Sequence, residues 1–194
     1  RPRLRAKLAR WIIAPVIDDG DWNLLAVARQ RMTREATRAL APLVRMRASG
    51  YPRVLVGMVR GDGPVAGLVE AAGGDPKIGE SLVRIQPMDT VSVFERDDVT
   101  EALCVVLQPH AHLFAGKCFH VRARLRGMKG RLETPAVERA LGAFLLDQAE
   151  LIGTRPKVGF DDPDLVLGVE VVGRRAGFSL MDRELRAHPL VRVR

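Results

Sequence analysis

Cysteine is scarce: Cys104 and Cys118 are the only two in 194 residues. Two cysteines make no disulfide framework, which points to a reducing, cytoplasmic setting. No apolar stretch approaches the roughly 20 residues that a membrane span requires, so no membrane partner is expected. Arg1–Arg10 followed by "WIIAPVI" superficially resembles a signal peptide. Its apolar part is too short, and "DDGD" follows where a small-residue cleavage site would be needed. The sequence opens on Arg1 rather than a methionine, so its natural start is left open. Internal repeats and low-complexity linkers are missing too.

Enzyme signatures are equally sparse. No G-x-G-x-x-G follows a strand-like stretch, and no G-x-x-x-x-G-K-[ST] occurs. "GDGPVAG" (61–67) has the glycines without the spacing and reads as a turn into a helix. The H-x-E with P-C-x-x-C pattern of a zinc deaminase is not found. Cys104, His110, His112 and Cys118 form a C-x5-H-x-H-x5-C string, but structural zinc normally uses two tight pairs. The string reads instead as two buried thiols and two loop histidines. No catalytic residue, metal or cofactor is therefore expected.

What is present is ordinary globular composition, 47% hydrophobic and 28% charged, with length for one large domain or two small ones. The net charge is +8, and five of the 31 basic residues are lysine. Arginine's planar fork of donors suits phosphates and stacks on bases, although a GC-rich genome would favour it as well. The charge is also segregated. Residues 22–60 carry eight basic residues and one acidic, 61–116 three and nine, and 117–131 six and none. Such blocks predict basic faces on the folded protein.

The pattern predicts an α+β fold. "WNLLAVA" (22–28), "PRVLVGMV" (52–59) and "SLVRIQPMDTVSVF" (81–94, broken at Pro87) read as extended. A helix over 32–44, ended or kinked by Pro42, has Met32, Ala36, Ala39, Leu40 and Leu43 inward. A second covers 63–72. Alternating strand and helix in this order suggest a ferredoxin-like unit. Asp97-Asp98 open a further helix to about Gln108. Thr134-Pro135 start another, as N-cap and first turn, that runs to about Glu150. "KVGF", "LVLGVEVV" and "AGFSLM" complete a second sheet, and Leu165–Val172 reads as a strand buried on both faces.

The strongest candidate site is "CFHVRARLR" (118–126). Alternation puts Phe119, Val121, Ala123 and Leu125 on one face and His120, Arg122, Arg124 and Arg126 on the other. Arginines at every second position stand roughly 6.6–7 Å apart. That spacing is comparable with successive phosphates of a nucleic-acid strand. All three are expected to face solvent. Lys129 and Arg131 extend the basic run, and Arg155, Lys157, Arg174 and Arg175 flank the following strand as further RNA-binding candidates. They also stand ready to neutralise Asp161, Asp162 and Asp164, which read as turn and cap residues rather than a metal site. The competing reading is a solvated edge strand whose charge blocks aggregation.

"FHVRARLRGMKGRLETPAVERALG" followed by "RPKVGFDDPDLVLGVEVVGRRAGFSL" resembles a THUMP domain, from about Asp97 to Leu185. Val158, Phe160, Pro163, Asp164, Glu170 and Gly177 occupy the places of that family's pattern. The resemblance implies a basic arm (1–21), a ferredoxin-like domain (22–96), a THUMP domain (97–185) and a basic tail (186–194). It further implies tRNA as partner, held at its acceptor-stem end for base modification. "RIQPMDTV" and the short tail resemble the stand-alone branch, with no residues left for a catalytic domain. That branch includes the adaptor presenting tRNA to a separate enzyme, a cytidine acetyltransferase. Two alternatives stand beside a non-catalytic tRNA-binding protein. One is the RNA-binding half of a larger methyltransferase or of a thiouridine or pseudouridine synthase; the other is an interaction module with no RNA role.

Overall fold

A computed structural model describes residues 22–59, 65–94 and 98–192. The basic arm expected over 1–21 lies outside the described residues. The chain divides into two compact units, one within residues 22–89 and 187–192, the other within 90–186. No helix among the described residues is long and apolar enough to cross a membrane.

The first unit runs β1 (Leu24–Ala28), α1 (Thr33–Leu40), β2 (Arg45–Ala48), β3 (Val54–Met58), α2 (Val65–Gly74), α3 (Pro76–Ser81) and β4 (Leu82–Pro87). Its sheet has the order β2-β3-β1-β4 with every pair antiparallel. The elements therefore run β-α-β-β-α-α-β, an α+β unit. The central strand β1 is apolar throughout and buried except for half-buried Val27. Ala36 and Leu40 bury one side of α1 while Arg34 and Arg38 point outward. Met32 and Ala39 are half-buried, and Leu43 is exposed beyond the helix end.

Two elements here escaped the sequence reading. β2, "RMRA", buries only Met46, and its arginines resemble loop rather than strand. α3 starts where the Asp75 carboxylate accepts the Lys77 N–H at 2.9 Å, with Pro76 in the first turn. The C-terminal segment is not a loose basic tail as far as residue 192. The Ile85 N–H donates to the Leu190 carbonyl at 2.7 Å, and Leu190 and Val191 are buried in this unit.

The second unit runs β5 (Thr90–Val93), α4 (Val99–Leu107), a 3₁₀ turn (Gln108–Phe114), β6 (Cys118–Arg126), α5 (Thr134–Ile152), β7 (Lys157–Val158), β8 (Leu165–Val172), β9 (Arg175–Asp182) and α6 (Arg183–Arg186). The sheet order is β5-β9-β8-β6-β7. β6 is parallel to β7 and β8, while β9 is antiparallel to β8 and β5. The stretch 81–94 is therefore two strands in two sheets, divided after Pro87.

β8 is buried along its whole length, as its apolar run suggested. α5 buries Val137, Leu141, Leu145 and Ala149, with Phe144 only half-buried. Phe119, Val121 and Ala123 are buried on β6. The cap of α5 is Glu133 rather than Thr134, and no side chain bonds there. Glu138 of α5 instead accepts the Ala123 N–H at 2.9 Å, tying helix to strand.

Candidate nucleic-acid interface

The register of β6 and β8 decides what the arginine face can do. Arg122 lies opposite Gly168, Arg124 opposite Glu170 and Arg126 opposite Val172. Glu170 keeps only 1% of its side-chain surface exposed; Arg124 reaches it at 3.6 Å, and Arg126 also pairs with it. A carboxylate so desolvated is tolerable only when paired and hydrogen-bonded. Arg124 and Arg126 are accordingly 33% and 19% exposed, and of the three arginines only Arg122 is classed as exposed. This corrects the expectation that all three face solvent. Alternation assigned the right face to each residue but not the carboxylate that β8 places on it.

His120, the first member of the same face, is also buried. Its Nδ1 lies 3.2 Å from the Gly159 carbonyl, and its ring lies 5.5 Å from that of Phe160. The Arg122 guanidinium sits 5.8 Å from the centroid of the same phenyl ring. Burial pushes the His120 imidazole below its ordinary pKa against the upward pull of the Gly159 hydrogen bond. The nearby Arg122 and Arg186 charges push the same way as burial.

The remaining cations fall at two ends of the sheet. At the C-terminal ends of β6 and β8 are Lys129 and Arg131, in a turn anchored by buried Met128, and Arg174 and Arg175. Gly173 has φ of +64°, the left-handed backbone that a two-residue hairpin needs at this point. At the opposite end, β7 pairs Lys157 with Cys118, and exposed Arg155 stands 3.8 Å from exposed Glu150. The eight steps of β6 between these ends span about 26 Å. Arg122, Lys129, Lys157 and Arg174 are exposed and make no ion pair with a described residue.

The acidic turn is structural. The Asp164 carboxylate accepts the Cys118 N–H at 2.9 Å, and the Cys118 carbonyl accepts the Asp164 N–H at 2.8 Å. That pair locks the starts of β6 and β8 together. Asp162 takes a left-handed φ of +44°. The neutralising cation is Arg183, 3.2 Å from Asp162 and 2.9 Å from Asp164. Arg174 and Arg175 lie at the far end of β8 and do not serve that purpose. Sequence reading missed Arg183 because the connection runs through the β8–β9 pairing, in which Leu165 meets Asp182.

The cysteine and histidine string is spread over α4, the 3₁₀ turn and β6. Both thiols are half-buried, and His110 packs edge-on against Phe178 at 5.3 Å. Burial, with a smaller push from Glu101, raises the Cys104 pKa, which keeps it a thiol. Among the described residues no group of three or more His, Cys, Asp or Glu is placed to hold a metal ion.

Comparison with known proteins agrees with the architecture. Residues 95–181 match the family model of the THUMP domain. No curated protein matches the chain. Among solved structures, PH1313 from Pyrococcus horikoshii superposes with a TM-score of 0.56 at 13% identity, covering 81% of this chain and 53% of that one. A 4-thiouridine synthetase, solved as an RNA complex with bound ATP, gives 0.56 at 11% identity, covering 83% and 41%. TrmN from Thermus thermophilus gives 0.51 at 20% identity, covering 81% and 44%. At these identities the likeness is one of fold. The chain spans about half or less of the length of each.

Proposed function

We propose, from the premise that residues 95–181 are a THUMP domain, that this chain binds tRNA and holds it for base modification without catalysing the reaction itself. The observation that carries the reading is that Arg122, Lys129, Lys157 and Arg174 on that domain are exposed and make no ion pair with a described residue. Cations already matched to carboxylates would exchange one partner for another. Unmatched ones release counterions from the RNA, which supplies most of the affinity. Arg131, Arg155 and Arg175 are placed to add weaker contacts. Arg124 and Arg126 chiefly hold Glu170 and contribute least.

The RNA complex of the 4-thiouridine synthetase supports tRNA modification as the setting. Contacts of this kind orient RNA without reading its bases. The acceptor stem as the region held, and a separate enzyme such as a cytidine acetyltransferase as the partner, extend the same reading. So does a cytoplasmic location.

The test combines binding with chemistry. Labelled tRNA titrated into the purified protein should bind, and the affinity should fall steeply with salt. Nucleoside mass spectrometry after incubation with S-adenosylmethionine, or with acetyl-CoA, should show no new base. A modified nucleoside would overturn the non-catalytic part, and lack of binding would overturn the whole.

A further inference from the structure

Phe160 is 65% exposed, although it adjoins a buried strand. Single exposed apolar residues are common and need no explanation. Phe160 differs in being held in place. The preceding Gly159 donates its N–H to the Phe119 carbonyl at 2.9 Å, and the Gly159 carbonyl engages His120 Nδ1. The phenyl ring then lies beside the His120 imidazole, tilted by 30°, and beside the Arg122 guanidinium. These contacts fix an aromatic surface that remains largely in water.

A second observation adds a polar group beside it. His120 is 6% exposed, and its Nε2 has no hydrogen-bond partner. Nδ1 faces a carbonyl, which only accepts, so Nδ1 carries the proton and Nε2 keeps a lone pair. A buried acceptor without a partner carries a free-energy cost that an incoming amino or hydroxyl group relieves. Of the exposed charged residues around it, Arg122 and Lys157 are cations that suit a phosphate-linked ligand, while Asp161 and Asp162 are carboxylates, Asp162 being paired with Arg183.

We propose that Phe160 is a stacking platform for one unpaired nucleobase of the bound RNA, with Arg122 on the adjoining phosphate. The proposal rests on the RNA-binding reading above. A base inside a duplex already has both faces stacked, so only an unpaired one can use the ring.

The experiment uses the full chain and two labelled RNA hairpins, one blunt and one with a short unpaired overhang. Wild type should prefer the overhang. Phe160→Ala should weaken overhang binding roughly 5- to 150-fold, the range of one base–aromatic stack, while blunt-hairpin affinity and salt slope hold. Phe160→Tyr should restore the preference, and Phe160→Leu, apolar but not flat, should not. Wild-type overhang binding by Phe160→Ala overturns the platform. Equal losses on both RNAs, or rescue by Phe160→Leu as good as by Phe160→Tyr, overturn it as well and point to a protein contact or a folding effect. If wild type binds neither RNA, the RNA-binding reading fails first, and the platform with it.

Discussion

Replacing Glu170 with Gln removes one charge from the centre of the β6–β8 pair while keeping the side-chain volume. The packing should stay intact, so the effect is electrostatic. Removing one partner of a buried ion pair costs about 3–5 kcal/mol, because the other charge is left desolvated. Arg126 retains 19% exposure and cannot rehydrate well; Arg124, at 33%, recovers part of its hydration. The expected cost is therefore at the low end, about 3 kcal/mol. For a unit of this size that lowers the melting temperature by roughly 12–24 °C. Thermal unfolding followed by circular dichroism measures it. Adding Arg126→Met should return part of the loss, since apolar replacement of a buried pair is often neutral. Arg122→Ala, by contrast, should change stability by no more than about 0.5 kcal/mol. A Glu170→Gln protein that melts with wild type would refute the claim that Arg124 and Arg126 are committed to holding this carboxylate.

Asp164→Ala removes the acceptor of the Cys118 N–H and should cost roughly 1–2 kcal/mol, with tRNA affinity of the folded protein nearly unchanged. A large affinity loss at constant melting temperature would mark Asp164 as functional instead. Leu190→Ala should destabilise the first unit by about 2–3 kcal/mol, because the segment 187–192 is core there. A change within error in chemical denaturation would contradict that placement. Burial holds the imidazoles of His110, His120 and His188 below the ordinary 6.5. The unfolded chain then takes up protons first, so stability is full above about pH 7 and is lost as the pH falls through 6.5. A melting temperature flat between pH 7.5 and 5, set as roughly the window that spans imidazole titration, would contradict it.

Much of the second unit is readable from pattern because its elements are long and regular. β6 matches its expected bounds, since nine alternating residues leave one phase. β8 shows itself by an apolar run that only a two-sided burial explains. The short elements are different. β2 has one buried side chain in four residues, and α3 has a capping signal but no apolar stripe. The arginine face shows the same limit at the site. Periodicity puts Arg122, Arg124 and Arg126 on one side, but Glu170 stands 44 residues from Arg126 and reaches it only through strand register. Phe160 likewise matches a family position in sequence, while its setting between His120 and Arg122 depends on β7 and the loop after it.

The salt dependence of tRNA binding, compared between wild type and an Arg122→Ala, Lys129→Ala, Arg174→Ala triple variant, tests the RNA-binding surface most directly. Each lost phosphate contact should reduce the slope of log K against log salt by about 0.7–0.9. The triple variant should therefore bind more weakly with a slope shallower by roughly 2 to 3, and its melting curve should overlay that of wild type. Wild-type affinity and slope in the triple variant would show that the RNA, if bound at all, lies elsewhere on the molecule.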